Sequence, residues 1–62
     1  MIEFTCEKDA LMALLRELQA TIEIAEAGRP QYFKIVRNGR LVGYWNAVDG
    51  AGELMSERLS KS

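Results

Sequence analysis

The stretch Tyr32-Phe33-Lys34-Ile35-Val36-Arg37-Asn38-Gly39-Arg40-Leu41-Val42-Gly43-Tyr44-Trp45-Asn46 decides the architecture. Two runs rich in aromatic and β-branched residues, 32–37 and 40–46, flank Asn38-Gly39, the strongest short signal for two antiparallel strands joined by a two-residue type I′ turn. A turn of that length places Phe33 opposite Tyr44 and Ile35 opposite Val42 on one side. Tyr32 then opposes Trp45, and Val36 opposes Leu41, on the other. Both sides of the hairpin are apolar. One is expected to cover a helix, and the other to lie under the C-terminal segment or meet another chain.

Upstream, residues 8–27 carry Ala, Leu, Glu and Ile without Gly or Pro, and Leu11, Leu14, Leu15, Leu18, Ile22 and Ala25 fall on one helical stripe. The spacing predicts a helix over 8–27, capped by Thr5 or Asp9 and stopped by Gly28 and Pro30. Before it, residues 1–6 alternate, with Ile2, Phe4 and Cys6 on one side, the period of a half-buried strand. Cys6 reads as a small buried hydrophobe. After Asp49-Gly50-Ala51-Gly52, the spacing of Leu54, Met55, Arg58 and Leu59 predicts a short helix over about 53–59, with residues 60–62 fraying. The order β-α-β-β-(α) gives an α+β domain, a small and mainly antiparallel sheet packed on one long helix.

The whole chain has 62 residues, eight Lys plus Arg against nine Asp plus Glu, no His and one Cys. It forms one domain, 1–62. A chain this short hides only about 60% of its unfolded surface, and with neither a disulfide nor a Cys/His zinc set possible, self-association is the remaining common means of extra burial. Lacking His, it has no ordinary general base near neutral pH and no Ser-His or Cys-His pair, so it does not read as an enzyme. Phosphate-loop, dinucleotide and EF-hand motifs are absent, and no cofactor or metal is expected. Apolar runs fall far short of the roughly 18 residues of a membrane span, and the first ten residues carry acids where a signal peptide has bases. The expected compartment is the cytoplasm.

Opposite the Leu stripe, Ala13, Ala20 and Ala27 recur every seven residues, with Ile24 between the last two. Small residues at heptad spacing let two helix backbones approach closely, with Arg16, Glu17 and Glu23 able to pair across an antiparallel oligomer interface. Ala is also simply the best helix former and tolerates exposure. The charges are uneven too. Residues 27–48 contain Arg29, Lys34, Arg37 and Arg40 and no acid, whereas residues 1–26 hold six acids and two bases. Arg37 and Arg40 face each other beside the turn, a repulsive arrangement that a DNA phosphate would relieve. An edge hairpin kept soluble by its charges is the plainer alternative.

Phe4-Thr5-Cys6-Glu7-Lys8-Asp9-Ala10-Leu11 resembles the start of the bacterial DNA polymerase III sliding clamp (beta subunit), where a strand leads into a helix with paired Leu. Gly28-Arg29-Pro30 is similar to the Gly-Arg-Pro that ends that helix in some clamps. Asn38-Gly39-Arg40-Leu41 is similar to the Asp-Gly-x-Leu hairpin that follows. The resemblance spans residues 1–45 and implies one β-α-β-β-β half-domain module, whose helices lie side by side around DNA while the sheets face outward. It also implies phosphate contact by Arg29. Two departures stand against it: the long helix offers Lys8 and Arg16 against Asp9, Glu17, Glu23 and Glu26, and the last segment reads as helix where the module needs a strand.

The leading expectation is a non-catalytic, homo-oligomeric, clamp-like accessory of DNA replication, a processivity factor whose compactness fits a phage or plasmid origin. Its partners would be itself, as a dimer or larger assembly, weakly and sequence-independently bound duplex DNA, and a DNA polymerase. Arg29, Lys34, Arg37 and Arg40 would position phosphates. The alternative is a small protein-binding module or inhibitor, of phage type, that presents Tyr32, Tyr44 and Trp45. Trp45 can equally be core.

Overall fold

The computed structural model describes residues 1–59. In chain order the elements are β1 (Ile2–Thr5), α1 (Lys8–Leu18), β2 (Thr21–Glu26), β3 (Arg29–Arg37), β4 (Arg40–Asn46), β5 (Ala51–Leu54) and α2 (Ser56–Leu59). The strands form one sheet in the order β1-β5-β4-β3-β2, every neighbouring pair antiparallel. The molecule is thus an α+β domain, with a larger sheet and a shorter main helix than the sequence predicts. The expectation for residues 60–62 lies outside the described residues.

The helix predicted over 8–27 stops at Leu18, and its second half is strand β2. Gln19 adopts the left-handed conformation, φ 57° and ψ 44°. Its N–H donates to the Arg16 carbonyl at 3.2 Å and the Ala20 N–H to the Leu15 carbonyl at 2.9 Å, the paired bonds of a Schellman stop usually built on glycine. Beyond it, Thr21, Ile22 and Ile24 are β-branched and fit an extended chain better than a helix. They pair along β3, Ile22 with Ile35 and Ile24 with Phe33, until the register shifts before Glu26–Arg29, with extra residues on β3 opposite Ala25. Neither Thr5 nor Asp9 caps α1. Glu7 holds the N-cap position without a side-chain bond.

The hairpin turn forms as read, with φ 53° at Asn38 and 76° at Gly39, and Arg37 opposite Arg40 and Val36 opposite Leu41. The register then slips at a bulge. Ile35 pairs with Gly43, Phe33 with Trp45 and Tyr32 with Asn46, so Val42 is the extra residue and the pairings predicted for Phe33, Ile35 and Tyr32 are replaced. Without the bulge Val42 or Trp45 would face away from the helix; with it both are buried, 2% and 4% exposed. Tyr44 moves instead to the helix-free face, opposite Lys34.

The segment predicted as helix over 53–59 is divided. Residues 51–54 insert as β5 between β1 and β4, and only Ser56–Leu59 is helical. Glycine explains the insertion. A Cβ on Gly43 would lie 2.9 Å from Leu54 Cδ2, and one on Gly52 would lie 2.7 Å from the Tyr44 carbonyl and would collide with the Phe4 ring. Leu54 and Phe4 therefore lie over backbone. Leu11 and Leu15 of α1 close the core against Ile35, Val42, Trp45 and Leu54. The predicted first strand ends at Thr5, leaving Cys6 just past it and half-buried rather than fully covered.

Candidate functional site

Because all neighbouring strands alternate in direction, the two edge strands β1 and β2 run the same way. α1 must therefore leave the Thr5 end of one edge and return to the opposite end of the other, where Thr21 pairs with Val36. It crosses the sheet diagonally and leaves two corners uncovered. Leu59 of α2 packs toward one. The other stays open as an apolar groove of about 710 Å³, with Ile22, Phe33 and Trp45 on its floor, Cys6 at the foot of α1 and Val48 on the rim.

The groove is held open by backbone and turn chemistry. The Phe33 and Trp45 rings lie 6.1 Å apart at 32°, and the indole N–H of Trp45 donates to the Cys6 carbonyl at 3.3 Å. The rim loop is fixed by the Asn46 and Asp49 side chains, which accept from the N–H groups of Val48 at 2.8 Å and Ala51 at 3.0 Å. The Cys6 N–H donates to the Gly50 carbonyl, and the Ala47 N–H to the Gln31 carbonyl. Val48 is consequently presented to solvent, 77% exposed, with Ile24 51% exposed in the same cross-strand row as Phe33. A preformed apolar cleft of this volume is suited to binding.

The opposite face of the sheet differs. Tyr32 and Tyr44 stack at 5.6 Å with rings 6° from parallel, and the Arg29 guanidinium sits 5.7 Å from the Tyr32 ring centre. Across the strands, Glu23, Lys34, Tyr44, Glu53 and Glu3 form one row, which carries three acids and one base. Lys34 lies 3.9 Å from Glu23.

The residues expected to bind DNA are therefore spread out. Arg29 and Arg37 begin and end the nine-residue β3, about 26 Å apart at about 3.3 Å per residue, and Lys34 lies on the acidic row between them. Only Arg37 and Arg40 are neighbours. The predicted oligomer stripe also dissolves: Ala13 is on α1, Ala20 follows its stop, Ile24 is on β2 and Ala27 is in the next turn. Of the alternative trio, Tyr32 and Tyr44 stay together, whereas Trp45 joins the core under the groove.

Sequence reasoning missed the groove residues Ile22, Phe33 and Val48 as a set, although Asn46 and Asp49, each accepting from an N–H two residues on, signal a rigid loop. It also missed Arg58, whose Nη1 donates to the Leu41 carbonyl at 2.9 Å beside Arg40. Among the described residues no group of His, Cys, Asp and Glu is arranged to hold a metal ion. Comparison with protein-family models, curated proteins and solved structures gives no match.

Proposed function

We propose that this chain is a small, non-catalytic protein-binding module whose open corner groove receives an apolar segment of a partner protein. The observation that carries this reading is the uncovered corner itself: Val48 is presented to solvent beside a floor that includes Ile22, Phe33 and Trp45, and the exposed Ile24 pairs with Phe33 on the neighbouring strand. Aromatic floors with apolar rims supply the central anchors of protein interfaces. The test is selection from a displayed random-peptide library against the immobilised chain. Peptides bearing two or three Leu, Ile, Phe or Trp residues should be enriched and should bind Val48→Asp at least about tenfold more weakly, a loss of about 1.4 kcal/mol. Enrichment of no such peptide, or binding indifferent to that substitution, overturns the reading.

A second reading is the clamp-like, homo-oligomeric DNA accessory. It is supported by the order β1-α1-β2-β3-β4, which matches the β-α-β-β-β series of one clamp module; β5 follows as an additional strand. The acidic row and the separation of Arg29 from Arg37 weigh against duplex contact along β3. Sedimentation with and without duplex DNA at about 50 mM salt tests it, because phosphate contacts are strongest at low ionic strength. A monomer that leaves DNA free would remove this reading and leave the groove untouched.

A further inference from the structure

We infer that the hairpin tip and α2 together form an oxyanion site for a phosphate group, built from Arg37, Arg40 and Arg58. This site is independent of the groove. Arg37 and Arg40 are cross-strand partners beside the Asn38-Gly39 turn, which places two like charges side by side. Arg58 brings a third. Its Nη1 donates to the carbonyl of Leu41, the residue after Arg40, while Arg37 Nη1 donates to the Leu59 carbonyl at 3.3 Å, the residue after Arg58. The two bonds lace the start of β4 to α2 and α2 back to the end of β3, so all three arginines converge on one end of the sheet. The Met55 N–H donates to the Val42 carbonyl at 2.8 Å and fixes the approach of α2.

Each lacing bond uses one terminal nitrogen of its guanidinium. An arginine has five N–H donors, so Arg37 and Arg58 keep further donors while their position is already set. The Arg40 side chain is exposed and forms no hydrogen bond or ion pair with another described residue. The ion pair between Lys34 and Glu23 involves none of the three. Arginines held close together repel one another, and a multiply charged oxyanion accepting from several of them relieves that repulsion through charge-assisted, bidentate bonds. Arg29 is excluded by its place at the far end of β3, and Lys34 by its position beside Glu23 on the acidic row.

The experiment is a titration of the isotope-labelled chain with inorganic pyrophosphate at low ionic strength, following the arginine Nε–Hε resonances, with a parallel arm using a short DNA duplex. The Arg37, Arg40 and Arg58 resonances should shift saturably and together, and that of Arg29 should stay in place. Arg40→Gln changes an exposed side chain that forms no hydrogen bond or ion pair with another described residue, so the fold should be preserved; it should weaken pyrophosphate binding at least about tenfold, the worth of one charge-assisted hydrogen bond, whereas Arg29→Gln should not. Saturable binding of pyrophosphate alone identifies a small phosphate ester as the ligand. Loss of duplex binding in Arg40→Gln identifies the phosphodiester backbone. Shifts spread evenly over all the arginines, or no saturation with either probe, overturn the site.

Discussion

The indole Nε1 of Trp45 donates to the main-chain oxygen of Cys6, 39 residues earlier, across 3.3 Å. A tryptophan only 4% exposed needs an acceptor for its N–H, and this one lies between β1 and α1. One bond therefore joins the middle of the sheet to the segment that launches the helix. Trp45→Phe should leave the Cys6 carbonyl unpaired and lower stability by roughly 1–3 kcal/mol. Urea denaturation followed by far-UV circular dichroism checks this, and an unchanged midpoint would show that the bond contributes nothing.

Gly43 and Gly28 should respond in opposite directions to alanine. A side chain at Gly43 meets Leu54 and the β5 backbone, so Gly43→Ala should destabilise the fold by about 1–3 kcal/mol or more through overpacking. Gly28 has open space around it and no positive φ. Gly28→Ala should therefore stabilise by about 0.4–1 kcal/mol, by restricting the unfolded chain. Thermal melts of the two variants should move apart.

Gly39 has open space for a side chain but a φ of 76°, so any penalty there is conformational rather than steric packing. Gly39→Val should lose roughly 1–2 kcal/mol, because a β-branched residue resists the left-handed region. An equal melting temperature for the variant and the parent would contradict the turn geometry.

Ala20 packs against the core cluster just after the α1 stop, whereas Ala13 is exposed on the helix. Ala20→Glu should therefore destabilise the single chain, by about 1–3 kcal/mol, by pushing a charge against apolar neighbours. Ala13→Glu should fall within about 0.5 kcal/mol of the parent. If sedimentation instead showed Ala20→Glu to be folded and dissociated from a larger wild-type species, an oligomer interface through Ala20 would be the better account.

The hairpin was legible because Asn38-Gly39 carries a local signal that tertiary context did not override. The end of α1 was not. Its stop falls on Gln19, which gives no glycine warning, and the strand residues Ile22 and Ala25 happen to continue the Leu stripe at helical spacing. Both are half-buried, so periodicity found their partial burial and assigned the wrong element. The bulge at Val42 was equally hidden; beside it Leu54 lies over Gly43, a contact between distant segments that local periodicity does not register. That single residue of slippage decides which aromatic side chain enters the core. It sent Trp45 beneath the groove and Tyr44 to the open face, and split the trio that composition alone had joined.

The position of β5 between β1 and β4 has a consequence for the timing of synthesis. A ribosome adding roughly 5–20 residues per second needs about 3–10 s to travel from Ile2 to Leu54, whereas a hairpin closes in about 1–10 μs. β2, β3 and β4 can zip together as soon as each emerges. β1, made first, has no neighbour except the strand made last. Ile2 and Phe4 must wait through that interval with nothing to pair against, and the sheet is completed from its interior when β5 arrives between two strands already translated.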